Sequence, residues 1–245
     1  MIPVRRTMER EQLTRDQLPL VTYTLVALNI LIYFWDRHGN PFGTSMVFAD
    51  LTMRPREVVG AVITLFGGNS GGHWAGDLGA RFPLVTLITA MFLHGGFLHL
   101  AGNMLFLTVF GAGVEEALGS WRFALYYLAW GVAAAGAQIW VDPSSSVPVL
   151  GASGAIGGAL GSYFLLFPAS KIDVTIPILA FATFAIPAFW LLGGWFLWQV
   201  FAPQEGVASW AHVGGFVAGM LTVLILGGRI AIFRRAGLDP SKPDG

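Results

Sequence analysis

The sequence predicts an all-α membrane protein, a bundle of six transmembrane helices with a long, partly membrane-embedded first connection. The first observation behind this prediction is composition. Of the 245 residues, 55% are apolar and only 11% are charged, whereas soluble domains carry about 25% charged residues. The second is the succession of apolar segments close to the roughly 20 residues that a helix needs to cross the hydrocarbon core.

The six predicted spans follow one another along most of the chain. They lie near residues 20–36, 96–114, 122–141, 148–167, 176–201 and 207–227. Residues 20–228 therefore form the predicted membrane domain, between an N-terminal segment (1–19) and a C-terminal tail (229–245). In the first connection, two shorter apolar runs near 58–66 and 83–93 are expected to lie at the interface or re-enter the membrane. A glycine-rich stretch at 67–72 separates them and favours a loop.

The distribution of Lys and Arg predicts that both termini are cytoplasmic. Positive charges are enriched in cytoplasmic connections, and with this orientation the two short outer connections, 142–146 and 202–206, contain no Lys or Arg. The long first connection is an exception, since it carries four arginines. The first 18 residues mix arginines with carboxylates and contain no apolar run, so we expect no cleaved signal peptide and a retained first span.

Charge and residue types exclude several classes of function. The net charge is zero, which gives no reason to expect nucleic acid as a partner. No cysteine is present, so thiol catalysis and disulfides are excluded. Three histidines (His94, His99 and His212) fall near one predicted membrane face, but no carboxylate accompanies them and the sequence contains no HExxH motif. We therefore expect no metal and no cofactor.

A serine and a histidine stand inside two of the apolar segments. Polar residues are costly in a membrane span and indicate function by default, and these two types are a nucleophile and a base. Ser153 lies near the start of the fourth span and His212 near the start of the sixth, so both are expected at the same depth, toward the outer face. The alternative for Ser153 is helix packing, and for His212 contact with water or a lipid headgroup.

Two rows of glycine explain why these spans should touch. Gly157 and Gly161 continue the row of Ser153 along one helix face, and Gly215 and Gly219 follow His212 on the other helix. Small residues let membrane helices approach closely. Packing one row against the other is therefore predicted to direct the hydroxyl of the serine at the imidazole.

A third group of polar residues opens the second span. His99 and Asn103 are four residues apart and so share a helix face. With the backbone N–H of Ser153, which stands at a helix start where such groups lack internal partners, they could donate hydrogen bonds to a developing oxyanion. The alternative is an interhelical hydrogen-bonded pair. His94 is expected to organise the preceding loop.

Taken in order, these motifs resemble the rhomboid family of intramembrane serine proteases, in its bacterial form with six spans. The resemblance runs over roughly residues 21–228. Its motifs are HxxxxHxxxN (His94, His99, Asn103), GxxxExxxG (Gly111, Glu115, Gly119), GASG (151–154) and AHxxGxxxG (Ala211, His212, Gly215, Gly219).

The resemblance implies a role for each matching residue. Ser153 would be the nucleophile and His212 its base without a third acid, while Asn103, His99 and Gly151 would belong to the oxyanion site. Glu115 resembles the family's structural glutamate, and Trp195-Phe196 resembles its lateral-gate aromatics. The substrates would be transmembrane proteins in the lipid bilayer, cleaved toward the outer face of a membrane that we expect to be the bacterial inner membrane.

The chain departs from the family at two places. Val85 and Thr86 stand where family members often carry Trp-Arg, and Gly157 stands where an aromatic residue often stacks on the catalytic histidine. Two other functions compete with proteolysis. One is a catalytically weak or inactive rhomboid-like protein that binds client helices; the other is a small transporter, which predicts internal repeats that the sequence does not contain.

Overall fold

The computed structural model describes residues 2–7, 18–68, 82–176, 182–204 and 206–239. Most of the predicted N-terminal segment and of the glycine-rich loop, and the end of the tail, lie outside the described residues. The helices are α1 (Leu20–Asp36), α2 (Pro55–Leu65), α3 (Thr86–Thr89), α4 (Phe97–Leu118), α5 (Ser120–Val141), α6 (Ser153–Leu166), α7 (Ala188–Phe201), α8 (Ser209–Ile225) and α9 (Gly228–Ala236). The strands are β1 (Ile2–Thr7), β2 (Lys171–Ile176) and β3 (Ala182–Pro187).

The described chain is mostly helical, as the apolar segments predict. Helices α4 and α5, of 22 residues each, are long and apolar enough to cross a membrane. A third span results if α8 and α9, which are bent by 71° at a short break, count as one. Three shorter apolar helices complete the set of candidates: α1, α6 and α7.

A three-stranded antiparallel sheet, in the order β1-β2-β3, corrects the all-α prediction. Residues 176–201 were predicted as one span, but Ile176 ends β2 and helix α7 begins only at Ala188, after Pro187. The strands are rich in β-branched residues, which favour extended backbone. On β2, Ile172 and Val174 are fully buried while Lys171 is exposed. This alternation is typical of a strand with one buried face.

Helices α6 and α8 pack with their backbones in contact along the predicted glycine rows. A Cβ atom added to Gly161 would overlap the carbonyl oxygen of Phe216, and one added to Gly219 would overlap that of Gly158. A Cβ on Gly215 would likewise overlap the carbonyl oxygen of Gly154. Glycine is therefore required for this approach, which sets the geometry at the N-terminal ends of both helices.

Glu115 anchors α1 to α4 through two backbone hydrogen bonds. Its carboxylate accepts the backbone N–H groups of Val21 (3.0 Å) and Thr22 (2.7 Å) at the first turn of α1. The side chain is buried, at 2% exposure. A carboxylate at a helix N-terminus satisfies donors that the helix leaves unpaired and complements its dipole. Glu115 therefore fixes the position of the N-terminus of α1 relative to α4.

A buried arginine at the end of α1 holds the first connection in place. The Arg37 guanidinium donates to the carbonyl oxygen of His94 at 2.8 Å and to those of three residues that follow α1, at 2.9 to 3.2 Å. Asp36 lies 3.7 Å from its Nε. Both side chains are almost fully buried. Arg37 therefore clamps the loop that enters α4 to the end of α1.

Candidate active site

Ser153 and His212 meet at the N-terminal ends of α6 and α8. The Ser153 Oγ lies 2.8 Å from the His212 Nε2, within hydrogen-bond distance. Ser153 is the first residue of α6, and His212 lies in the first turn of α8. The glycine contacts that follow both residues along the helices fix this distance, because the two backbones have no room to shift toward each other.

Gly151 brings the segment before Ser153 against the residues of α4. Its φ of +120° is a conformation that side chains rarely adopt. A Cβ here would lie 2.8 and 2.9 Å from two ring atoms of His99 and 3.6 Å from the Asn103 Nδ2. The Gly151 N–H donates to the carbonyl oxygen of Ala90 at 2.8 Å. The structure thus juxtaposes the serine, the imidazole of His99 and the amide of Asn103.

These side chains surround one cavity of about 700 Å³. The Asn103 Nδ2 is buried and has no hydrogen-bond partner among the described residues. An unpaired buried donor costs free energy unless a ligand or water satisfies it, so this amide is available to a molecule in the cavity. The polar and aromatic residues lining the cavity include His99, Asn103, Gln138, Ser153, Trp195 and His212.

His94 supports the site from the loop that precedes α4. Its ring packs edge-on against that of His99, with centroids 5.2 Å apart, and its carbonyl oxygen accepts from Arg37. Burial, and to a lesser extent the neighbouring His99, lowers the pKa of His94 from 6.5 to about 3. The imidazole is therefore neutral at physiological pH and orients His99 by packing.

The two predicted gate aromatics on α7 differ in their surroundings. Trp195 lines the cavity, and its ring centroid lies 5.8 Å from that of His212. Phe196 stacks on Phe216 of α8, with centroids 4.7 Å apart. Trp195 therefore supplies an aromatic contact to the imidazole from α7. Gly157 packs directly against the backbone of α8, since a Cβ there would lie 2.9 Å from the His212 carbonyl oxygen and 3.4 Å from the Phe216 nitrogen.

Two glutamines that the sequence pattern did not predict also belong to the site. The Gln199 Oε1 lies 2.9 Å from the His212 Nδ1. The Gln138 Oε1 accepts the backbone N–H of Ala211 at 3.3 Å. Each is a solitary amide in a strongly apolar helix, and the penalty for placing a polar group in a span could have marked both as candidates.

Fold and site together define a class: a helical membrane protein with a serine–histidine pair at the wall of a cavity. Comparison with known proteins gives the family. The Rhomboid domain model matches residues 81–229, so the chain belongs to the rhomboid family, whose members are integral membrane proteins and include intramembrane serine proteases.

Three rhomboid proteins are similar in sequence to this chain. It is 29% identical over 229 residues to the rhomboid protease AarA of Providencia stuartii, covering 82% of this chain and 70% of the relative. It is 34% identical over 145 residues to the rhomboid protease GluP of Bacillus subtilis, covering 59% of this chain and 24% of that protein. Rhomboid protein 1, mitochondrial, of Saccharomyces cerevisiae is 32% identical over 145 residues, covering 56% and 40%. The chain thus spans less than half of the last two.

Proposed function

We propose that this protein is an intramembrane serine protease that hydrolyses peptide bonds in or near transmembrane segments of membrane proteins. The observation that carries the proposal is the 2.8 Å contact between the Ser153 Oγ and the His212 Nε2 at the wall of the cavity. A hydroxyl becomes a useful nucleophile when an adjacent base accepts its proton. The membership of the family supports the same reaction.

Acylation begins when His212 Nε2 accepts the proton of the Ser153 hydroxyl while Oγ bonds to the substrate carbonyl carbon. The carbonyl oxygen becomes an oxyanion, which accepts hydrogen bonds from the Asn103 amide, the His99 imidazole and the Ser153 N–H. The protonated His212 then donates its proton to the leaving nitrogen as the C–N bond breaks. The amine leaves and the acyl group stays on Ser153.

Deacylation repeats the sequence with water. His212 accepts a proton from a water molecule whose oxygen bonds to the acyl carbon, and the second tetrahedral intermediate collapses by breaking the bond to Ser153 Oγ. The proton on His212 returns to that oxygen, which restores the hydroxyl and releases the carboxylic acid. The polar side chains in the cavity wall, which include Gln138 and His99, give this water hydrogen-bond partners near Ser153.

The proposed setting is a membrane domain with six spans, both termini cytoplasmic and the cavity toward the outer face of the bacterial inner membrane. The short helices α1, α6 and α7 would complete the set of spans begun by α4, α5 and α8. The placement of positive charges supports this orientation, since it leaves both short outer connections without Lys or Arg.

The test is cleavage of a fluorescent reporter with one transmembrane segment, in liposomes that contain the purified protein. Wild type should cleave, whereas Ser153→Ala and His212→Ala should lose at least about 10³-fold in rate, since both act in the same proton transfer. Ser162→Ala is the matched control because Ser162 is on the same helix and donates to the Gly219 carbonyl instead. Equal cleavage by wild type and both site variants would contradict the proposal.

Labelling with a fluorophosphonate distinguishes the protease from a client-binding relative. The probe forms a covalent bond with an activated serine, so wild type should be labelled at Ser153 and His212→Ala should not. A wild-type protein that binds the reporter segment, takes up no probe and leaves the reporter intact would favour the inactive rhomboid-like alternative.

A further inference from the structure

The Gln199 side chain of α7 lies where a triad acid would act on His212. We infer that Gln199 is a positioning residue, whose Oε1 accepts the Nδ1–H of His212 and so holds the imidazole in its reactive tautomer and orientation. The inference rests on the proposed function and adds the component that orients the base.

The tautomer follows from the two hydrogen bonds of the imidazole. To accept the Ser153 proton, His212 needs a lone pair on Nε2, and a neutral imidazole then carries its proton on Nδ1. That N–H needs an acceptor when it is buried. The Gln199 Oε1 at 2.9 Å is placed to accept it, while the Ser153 Oγ lies 2.8 Å from Nε2 on the other side of the ring.

A second contact from the same helix face fixes the plane of the ring. Trp195 precedes Gln199 by four residues on α7, and its ring centroid is 5.8 Å from that of His212. Residues with this spacing share a helix face. The amide sets rotation of the imidazole in its own plane, and the indole limits its tilt. One face of α7 thus supports the imidazole of His212, which receives no aromatic contact from position 157 because that residue is glycine.

No charged group competes with Gln199 for this role among the described residues of the cavity wall. The groups facing His212 are Ser153 from α6, His99 from α4, and Trp195 and Gln199 from α7; Gln138 of α5 accepts from the backbone of α8. A glutamine acceptor is neutral, so it orients the base without adding a negative charge.

The contact between Gln199 and His212 depends on where α7 lies relative to α8. Of the α7 side chains, only Ala188 and Leu192 are buried, while Trp190, Leu197 and Trp198 are more than half exposed. The helix therefore lies at the periphery of the bundle. A displacement of α7 that lengthened the contact between Gln199 and His212 would lower the fraction of protein with a correctly oriented base.

The experiment compares Gln199→Leu, Gln199→Glu and the exposed-residue control Leu197→Ala with wild type in the reporter assay. Gln199→Leu keeps approximate size but has no acceptor, so kcat should fall about tenfold, the worth of one hydrogen bond, with KM unchanged. Gln199→Glu keeps the acceptor and should restore the rate at high pH. Its carboxylate stabilises the imidazolium, so the pH of half-maximal activity should rise by about one unit.

Three outcomes are decisive, and they separate this inference from the proposed function. If Gln199→Leu had the same kcat and pH profile as wild type, the positioning role would be overturned. A lower kcat in Gln199→Leu would also overturn the positioning role if Gln199→Glu neither restored kcat nor shifted the pH profile. That pattern would indicate that Gln199 acts by packing alone. Cleavage that survives Ser153→Ala would instead overturn the protease proposal, whatever the Gln199 variants do.

Discussion

Gly157 offers a sharp test of how closely α6 and α8 must approach for the site to form. A Cβ at this position would lie 2.9 Å from the His212 carbonyl oxygen and 3.4 Å from the Phe216 backbone nitrogen. Ordinary van der Waals contact begins at 3.4 Å. Gly157→Ala therefore requires the two backbones to separate by about 0.5 Å, the difference between 3.4 and 2.9 Å.

The separation acts directly on the reacting atoms because Gly157 is one turn from Ser153 and touches the backbone of His212. Added to the 2.8 Å between Oγ and Nε2, it stretches their hydrogen bond to about 3.3 Å. Misplacement by 1 Å costs about 10²-fold in rate, so half of that predicts about a tenfold loss of kcat. Overpacking also costs about 1–3 kcal/mol of stability.

The assay is reporter cleavage together with thermal unfolding in detergent. Gly136→Ala is the matched control, since Gly136 also lies within a helix but has open space around its Cα; this change should leave activity unaltered and the unfolding temperature equal or higher. Gly157→Phe, which adds a much larger side chain at the same contact, should be more damaging than Gly157→Ala. Wild-type activity and stability in Gly157→Ala would refute the packing argument.

Three further predictions concern the parts around the dyad. Arg37→Met removes four carbonyl contacts and leaves Asp36 buried without its cation, so the unfolding free energy should fall by about 3–5 kcal/mol, measured by denaturant unfolding; unchanged stability would contradict the clamp. Asn103→Ala should lower kcat about 10²–10³-fold by removing an oxyanion donor, with the melting temperature preserved. A lower melting temperature alongside the lower kcat would indicate a structural role instead. His94, with its pKa lowered to about 3 in the fold, takes up a proton near pH 6.5 only when unfolded. Wild-type stability should therefore decline by about 1.4 kcal/mol per pH unit as pH falls below 6.5 toward 3, and His94→Gln should flatten this decline.

The apolar helices and the juxtaposition of Ser153 with His212 could be predicted from residue type and spacing. The hydrocarbon thickness requires apolar segments of a certain length, and polar residues within them are rare enough to attract attention. The glycine rows then predicted which helices touch, and the structure brings Ser153 to His212 along those rows. Their catalytic roles remain predictions until the variants are assayed.

The sheet was missed for a physical reason. An apolar β-branched stretch is compatible with a membrane helix or with a strand, and the choice depends on a partner strand that hydropathy does not show. Residues 171–176 pair with both 2–7 and 182–187. The predicted fifth span consequently extended back into what is strand in the fold.

What the sequence alone determined about this protein is local: apolar segments, small-residue rows, and a serine and a histidine that are candidates for nucleophile and base. Only the tertiary structure decided what holds the base and the first connection. Gln199 reaches His212 from another helix, and Arg37 reaches the His94 carbonyl across 57 residues of chain. A side chain's hydrogen-bond partner depends on how helices are arranged in space, and a single amide or guanidinium carries no spacing pattern that would name its partner in advance.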